Sequence, residues 1–226
     1  MTLDFALRLT QIGLGLAYIQ RSLEHLHARA GERSLFAPRL GLCALLIAGV
    51  APGLMAAALL FNDLLLLRRF GGPYNGGADR MGLLILISLA LASLAPGEKA
   101  RAVAFGYLGA QVVLSYFISG WVKIVNPDWR SGRAQRDVFL FSAYPAGENL
   151  RGWADRPGAL RAASWAVMGF ELAFPLSLAS APTLQAGLAL GAAFHLANAC
   201  LFGLNRFFWI WLCAYPALLW LQTRIV

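Results

Sequence analysis

Charge is scarce in this 226-residue chain: Asp, Glu, Lys and Arg make up 13% of it, against 59% apolar residues. A soluble domain carries roughly a quarter charged residues, so composition argues against a fold dissolved in water. Lysine is scarcer still, since of 19 basic residues only Lys99 and Lys123 are not arginine. Cysteine is limited to Cys43, Cys200 and Cys213, all inside apolar runs and without Cys-x-x-Cys spacing. A redox dithiol or zinc motif is thereby excluded, and the three are expected as small buried hydrophobes. Segments of about ten residues with strict apolar–polar alternation are missing too, which excludes a membrane β-barrel. Asp4, Arg8 and Gln11 interrupt the N-terminal stretch too early for a secretory signal core, so no cleavable leader is expected.

What the chain has instead is a series of long apolar runs. Several uncharged stretches of about 17–22 residues have the length and composition of membrane-spanning helices. We read eight helices, near 5–27, 34–50, 54–69, 81–95, 101–124, 159–179, 183–203 and 205–223. The expected fold is an all-α, polytopic membrane helix bundle of about eight transmembrane helices, seven to nine allowing for boundaries, in one domain over 1–226. Ala51-Pro52-Gly53 divides the block 34–69 into two helices; one Pro-kinked helix is the alternative. The loop RRFGGPYNGGADR at 68–80 must turn sharply. The segment 125–158 is the one long loop, too polar to span, and its aromatic residues suit an interfacial helix or re-entrant turn.

The net charge of +8 lies in short loops. Contact with anionic membrane lipids and the positive-inside bias account for it, and no nucleic-acid partner is expected. With eight spans, the loops after helices one, three, five and seven share a side and hold most of the arginines, which places the long loop in the cytoplasm. The abundance of Ala and Arg points to a bacterial source, hence an inner-membrane, multi-pass location.

Ionisable groups at membrane depth are expensive and mark candidate sites. Glu171 lies in the middle of AVMGFELAFPLSL, where it either serves chemistry or packs helices through a hydrogen-bonded carboxyl. His195 and Asn198, in AAFHLANACLFGLN, are three apart and share a helix face. Asn62 and Asp63 interrupt AALLFNDLLLL and should face the bundle interior. Gln111 and Tyr116 precede Lys123 on one helix and could line its face. His25 and His27 are two apart, which points them in different directions, so no metal pair is expected. Lys123 ends a long apolar run, where lysines snorkel, with Trp121 and Trp129 as interfacial neighbours. The other reading is a partly desolvated amine acting as a base.

Three blocks carry a family resemblance. YFISGWVKIVNPDWRSG resembles the YF-x-x-G-x-x-K…DW-x-x-G element of the vitamin K-dependent γ-carboxylase and the wider HTTM family. FHLANACLFGLNRFFWIWLCAYPAL resembles that family's FH-x-x-N-x-x-LF stretch, and PYNGGADRM its Asn-containing loop. The resemblance implies a membrane enzyme oxidising a lipophilic quinol, with reduced vitamin K or another quinol as the small molecule. Lys123 and His195 would be catalytic, with Asn75, Tyr116, Trp129, Arg130, Glu171 and Asn198 binding substrate. Asn75 is followed by Gly76-Gly77 where the carboxylase pattern has a histidine, so glutamate carboxylation is not expected. The alternative is a non-enzymatic membrane partner or a peptide or protein maturation factor acting with a protein encoded elsewhere.

Overall fold

The computed structural model describes residues 1–28, 33–73, 76–142 and 149–226. Each long apolar run forms a helix, and no strand occurs among the described residues. Helices α1 (Leu3–Ala28), α2 (Arg33–Ala48), α3 (Pro52–Phe70), α4 (Gly76–Leu94) and α5 (Glu98–Val125) come first. Two short helices, α6 (Pro127–Ser131) and α7 (Arg133–Phe141), precede α8 (Pro157–Ala173), α9 (Ala181–Phe202) and α10 (Asn205–Ile225). Among the described residues four helical stretches are long and apolar enough to cross a membrane: α4, α5, α9, and α8 with the 3-10 turn that extends it to Ala179. The other four long helices are shorter, carry more charge or, in α10, mix Trp, Tyr and Pro into the run. At 16 residues α2 is about 24 Å long, less than the roughly 30 Å hydrocarbon core.

The helix breaks follow from local chemistry. Ala51 adopts a left-handed conformation (φ 41°) and Pro52 opens α3, so the 34–69 block is two helices and not one kinked helix. Gly71 (φ 67°) ends α3 by donating to the Arg68 carbonyl. The GGADR stretch, read from sequence as loop, is instead the first turn of α4. Asp79 stabilises that turn, since a carboxylate favours a helix N-terminus, and it is also paired with Arg21. Pro175 lacks the N–H that an α-helix needs, and the chain runs on after α8 as a 3-10 turn, Phe174–Ala179. Ser180 and Thr183 then cap α9 reciprocally.

The chain divides into two compact units, 1–110 with 209–225, and 111–208. In the first, α1 packs on α2, α2 on α3 and α3 on α4, and α1 also touches α4. Leu14, Phe36, Leu46, Leu59, Ile85 and Leu89 are fully buried in its core. Asn62 and Asp63 face inward as expected, meeting Arg39 at 2.8 and 2.5 Å. His25 stacks on Phe36 (ring centroids 4.1 Å apart) while His27 is exposed, so the two histidines do diverge.

The second unit contains the long segment that sequence reads as interfacial. There α6 and α7 pack on α8, and a 3-10 turn, Arg151–Asp155, packs on α7. Phe139, Ala154, Leu160 and Phe202 form a small apolar core beneath them. The polar residues of α7 lie outside and Phe139 inside, an amphipathic arrangement suited to an interface. One expectation fails: Cys200 is exposed, because on α9 it lies five positions beyond the buried His195, on the opposite face.

Candidate functional site

The site is built on the second half of α5. Tyr116, Gly120 and Lys123 are spaced four and three apart, so they share one helix face. Gly120 is where α5 comes closest to α8: a Cβ there would lie 2.8 Å from the Leu172 backbone nitrogen and 3.0 Å from the Glu171 Cβ. Only a residue without a side chain permits that approach. One turn further on, Lys123 meets Glu171, its Nζ lying 2.5 Å from both carboxylate oxygens. Glu171 is buried, with a side chain only 4% exposed, whereas that of Lys123 is 18% exposed. The pair is therefore sealed on the carboxylate side and partly open on the amine side.

A second polar pair lies one turn before Gly120. The Tyr116 hydroxyl shares a 2.8 Å hydrogen bond with His195 Nε2, from α9. Rings surround this bond. Tyr116 stacks on Phe174 at 4.0 Å and meets Phe170 edge-on at 5.6 Å; Phe170 and His195 both contact Phe194. Phe170 immediately precedes Glu171 in the chain, so the ring cluster runs from the Tyr116–His195 pair to the carboxylate.

The NPDWRSG stretch supplies the remaining wall. Asn126 caps α6 by accepting from the Asp128 N–H (2.9 Å), Pro127 opens the helix, and Gly132 closes it with φ 83°. Gly132 also abuts α8, where a Cβ would come within 2.8 Å of the Arg161 nitrogen. Two hydrogen bonds from α8 then fasten the turn: Ser164 Oγ donates to the Trp129 carbonyl (2.6 Å) and Trp165 Nε1 to the Arg130 carbonyl (3.1 Å). The result is that the Trp129 ring lies 5.3 Å from the Lys123 amine, in cation–π range.

The sequence-predicted residues therefore divide. Lys123, Glu171, Tyr116, His195 and Trp129 come together in one unit, with Glu171 as the ion-pair partner of the lysine. Arg130 is exposed and contributes its carbonyl to Trp165. Asn198 is half-buried, and its carbonyl lies in the cap that ends α9 at Gly203. Gln111 takes the Ser115 hydroxyl on its carbonyl. Asn75 lies outside the described residues. Sequence reasoning passed over Gly120, Gly132 and Ser164, which set the geometry. The two glycines stood inside a quoted motif, and their spacing from Lys123 was the signal.

A family model described as the HTTM domain matches residues 98–222, just over half of the chain. The chain belongs to the HTTM family. This HTTM protein is a multi-pass, all-α membrane protein, and α5 to α9 with the site they build fall within the matched segment. No curated protein and no solved structure matches the chain. Among the described residues no group of three or more His, Cys, Asp or Glu could hold a metal ion.

Proposed function

We propose that this HTTM protein is a membrane enzyme whose second unit carries out acid–base chemistry on a lipophilic, quinol-type substrate. The observation that carries this reading is the Lys123–Glu171 contact: a lysine near the end of α5 whose proton has two carboxylate oxygens at 2.5 Å to pass to. Once Glu171 holds that proton, Lys123 is a neutral amine and can take the proton of a ring hydroxyl. Burial of Glu171 keeps water from competing for it, and the partly open amine is the side on which a substrate would arrive.

The second pair supports a two-ended substrate. Tyr116 and Lys123 are seven residues apart, about 10 Å along the helix axis. A ring with hydroxyls at opposite corners, hydrogen-bonded at each end, matches such a separation. Tyr116 and His195 would hold the far oxygen and Lys123 would act on the near one. Trp129 and the phenylalanine cluster would offer apolar faces to the ring. A lipophilic molecule reaches such a site from the bilayer. Glutamate carboxylation is not part of this proposal.

The test is turnover of a reduced quinone under oxygen by the purified protein in lipid nanodiscs, comparing wild type with Lys123→Ala. Quinol loss with wild type that falls to background in the variant is the expected result. Equal rates, or none with any quinol tried, would count against the reading and favour a partner or maturation role.

A further inference from the structure

The first unit holds a second polar centre, in residues that precede the family-matched segment. Four helices meet there. Tyr18 of α1 donates its hydroxyl to Asp63 of α3 at 2.5 Å, and Arg39 of α2 meets the same carboxylate at 2.5 Å. Arg39 also lies over the Tyr18 ring at 3.8 Å and is fully buried. Gly82 of α4 makes room for the phenol, since a Cβ at that position would lie 2.6 Å from the Tyr18 oxygen. One turn along α1, Arg21 pairs with Asp79 of α4 at 2.7 Å, and both are more than nine-tenths buried.

Between the two ion pairs lies a cavity of about 10 Å³, lined by Arg21, Asp63 and Asp79 on its polar side and by Leu66, Leu67 and Leu83 among its apolar walls. The Nε of the same Arg21 side chain is buried without a hydrogen-bond partner. An unpaired buried donor on a guanidinium is costly, and such a donor signals a missing acceptor. The space is that of a single water, which needs roughly 10–15 Å³ and two to four polar partners.

We propose that this half-open pocket is a water site. One water accepts from Arg21 Nε–H and donates its two hydrogens to the carboxylates of Asp63 and Asp79. Its three hydrogen bonds match the usual number for a buried water. The water joins the Arg39–Asp63 and Arg21–Asp79 pairs into one unit, so a change at either carboxylate is felt at the other. A larger ligand is excluded by the volume. A bare cation is disfavoured by the two guanidinium groups that already neutralise the acids.

Leu83 offers the test, because it lines the cavity and takes no part in the ion pairs. Filling a dry void stabilises a protein, whereas displacing a hydrogen-bonded water strands its partners. Thermal unfolding of Leu83→Phe in nanodiscs should therefore show Tm lowered by roughly 2–4 °C. An unchanged or raised Tm would overturn the proposal. Because overpacking by the ring would lower Tm as well, a map of the wild-type protein that resolves ordered waters decides the matter. Density among Arg21, Asp63 and Asp79 supports the site, and empty space between ordered side chains refutes it.

Discussion

The two units handle buried charge in opposite ways. In the first, Arg39 is fully buried and Arg21 almost so, each matched to an aspartate from another helix. In the second, the Lys123 amine remains 18% exposed against a carboxylate that is 4% exposed. A guanidinium keeps its proton under all ordinary conditions and so fixes helices in place; an amine can surrender its proton and so can react. The same interaction, a short contact between cation and carboxylate, is a fastening in one unit and a candidate reactive group in the other.

Lys123→Ala breaks the reactive half of this contrast and carries the largest expected effect. Quinol turnover should fall by about 10²–10⁴-fold, the range for losing a positioned base, with Tm shifted by only a few degrees. Next comes Asp63→Ala, which strips Arg39 and Tyr18 of their shared carboxylate. Leaving a buried guanidinium unpaired costs about 3–5 kcal/mol, so a Tm loss on the order of 10 °C is expected. A similar loss of stability from Lys123→Ala would erase the distinction between the units.

Gly120→Ala should cost about 1–3 kcal/mol, because the methyl group meets the α8 backbone rather than a movable side chain. It also pushes α5 away from Glu171, so turnover should drop along with Tm; activity retained at full rate would show that the close approach is not what sets the pair. Tyr116→Phe is the mildest change. It removes one hydrogen bond to His195, worth about 1 kcal/mol, and should raise KM for a two-ended quinol more than it lowers kcat. A variant indistinguishable from wild type with such a substrate would remove Tyr116 from the site.

Hydropathy made the fold legible. All eight long helices were visible as apolar runs, Pro52 marked the break between α2 and α3, and the Gly-rich loop from 68 marked the end of α3. The start of α4 was hidden because Gly76-Gly77 looks like loop; what makes it helical is Asp79, held by an arginine from α1. At the site, ionisable residues in apolar runs drew attention to Lys123, Glu171 and His195. Their pairing was not readable, since Lys123 and Glu171 are 48 positions apart and no local period links them. Arg21 and Arg39 were missed for a related reason. An arginine near the end of an apolar run looks like a surface residue until its partner on another helix is known.

The ion pairs have an electrical consequence. Arg21 with Asp79, Arg39 with Asp63 and Lys123 with Glu171 each sum to zero, so these pairs take nothing from the net charge. The interior they occupy is close to electrically silent, and the whole +8 belongs to the remaining residues. Seen from any distance greater than a helix diameter, each buried pair is neutral, and the net positive charge is that of the other residues. Mobility in a field and ranking among lipids of different charge should follow those residues and be indifferent to whether the buried pairs are intact.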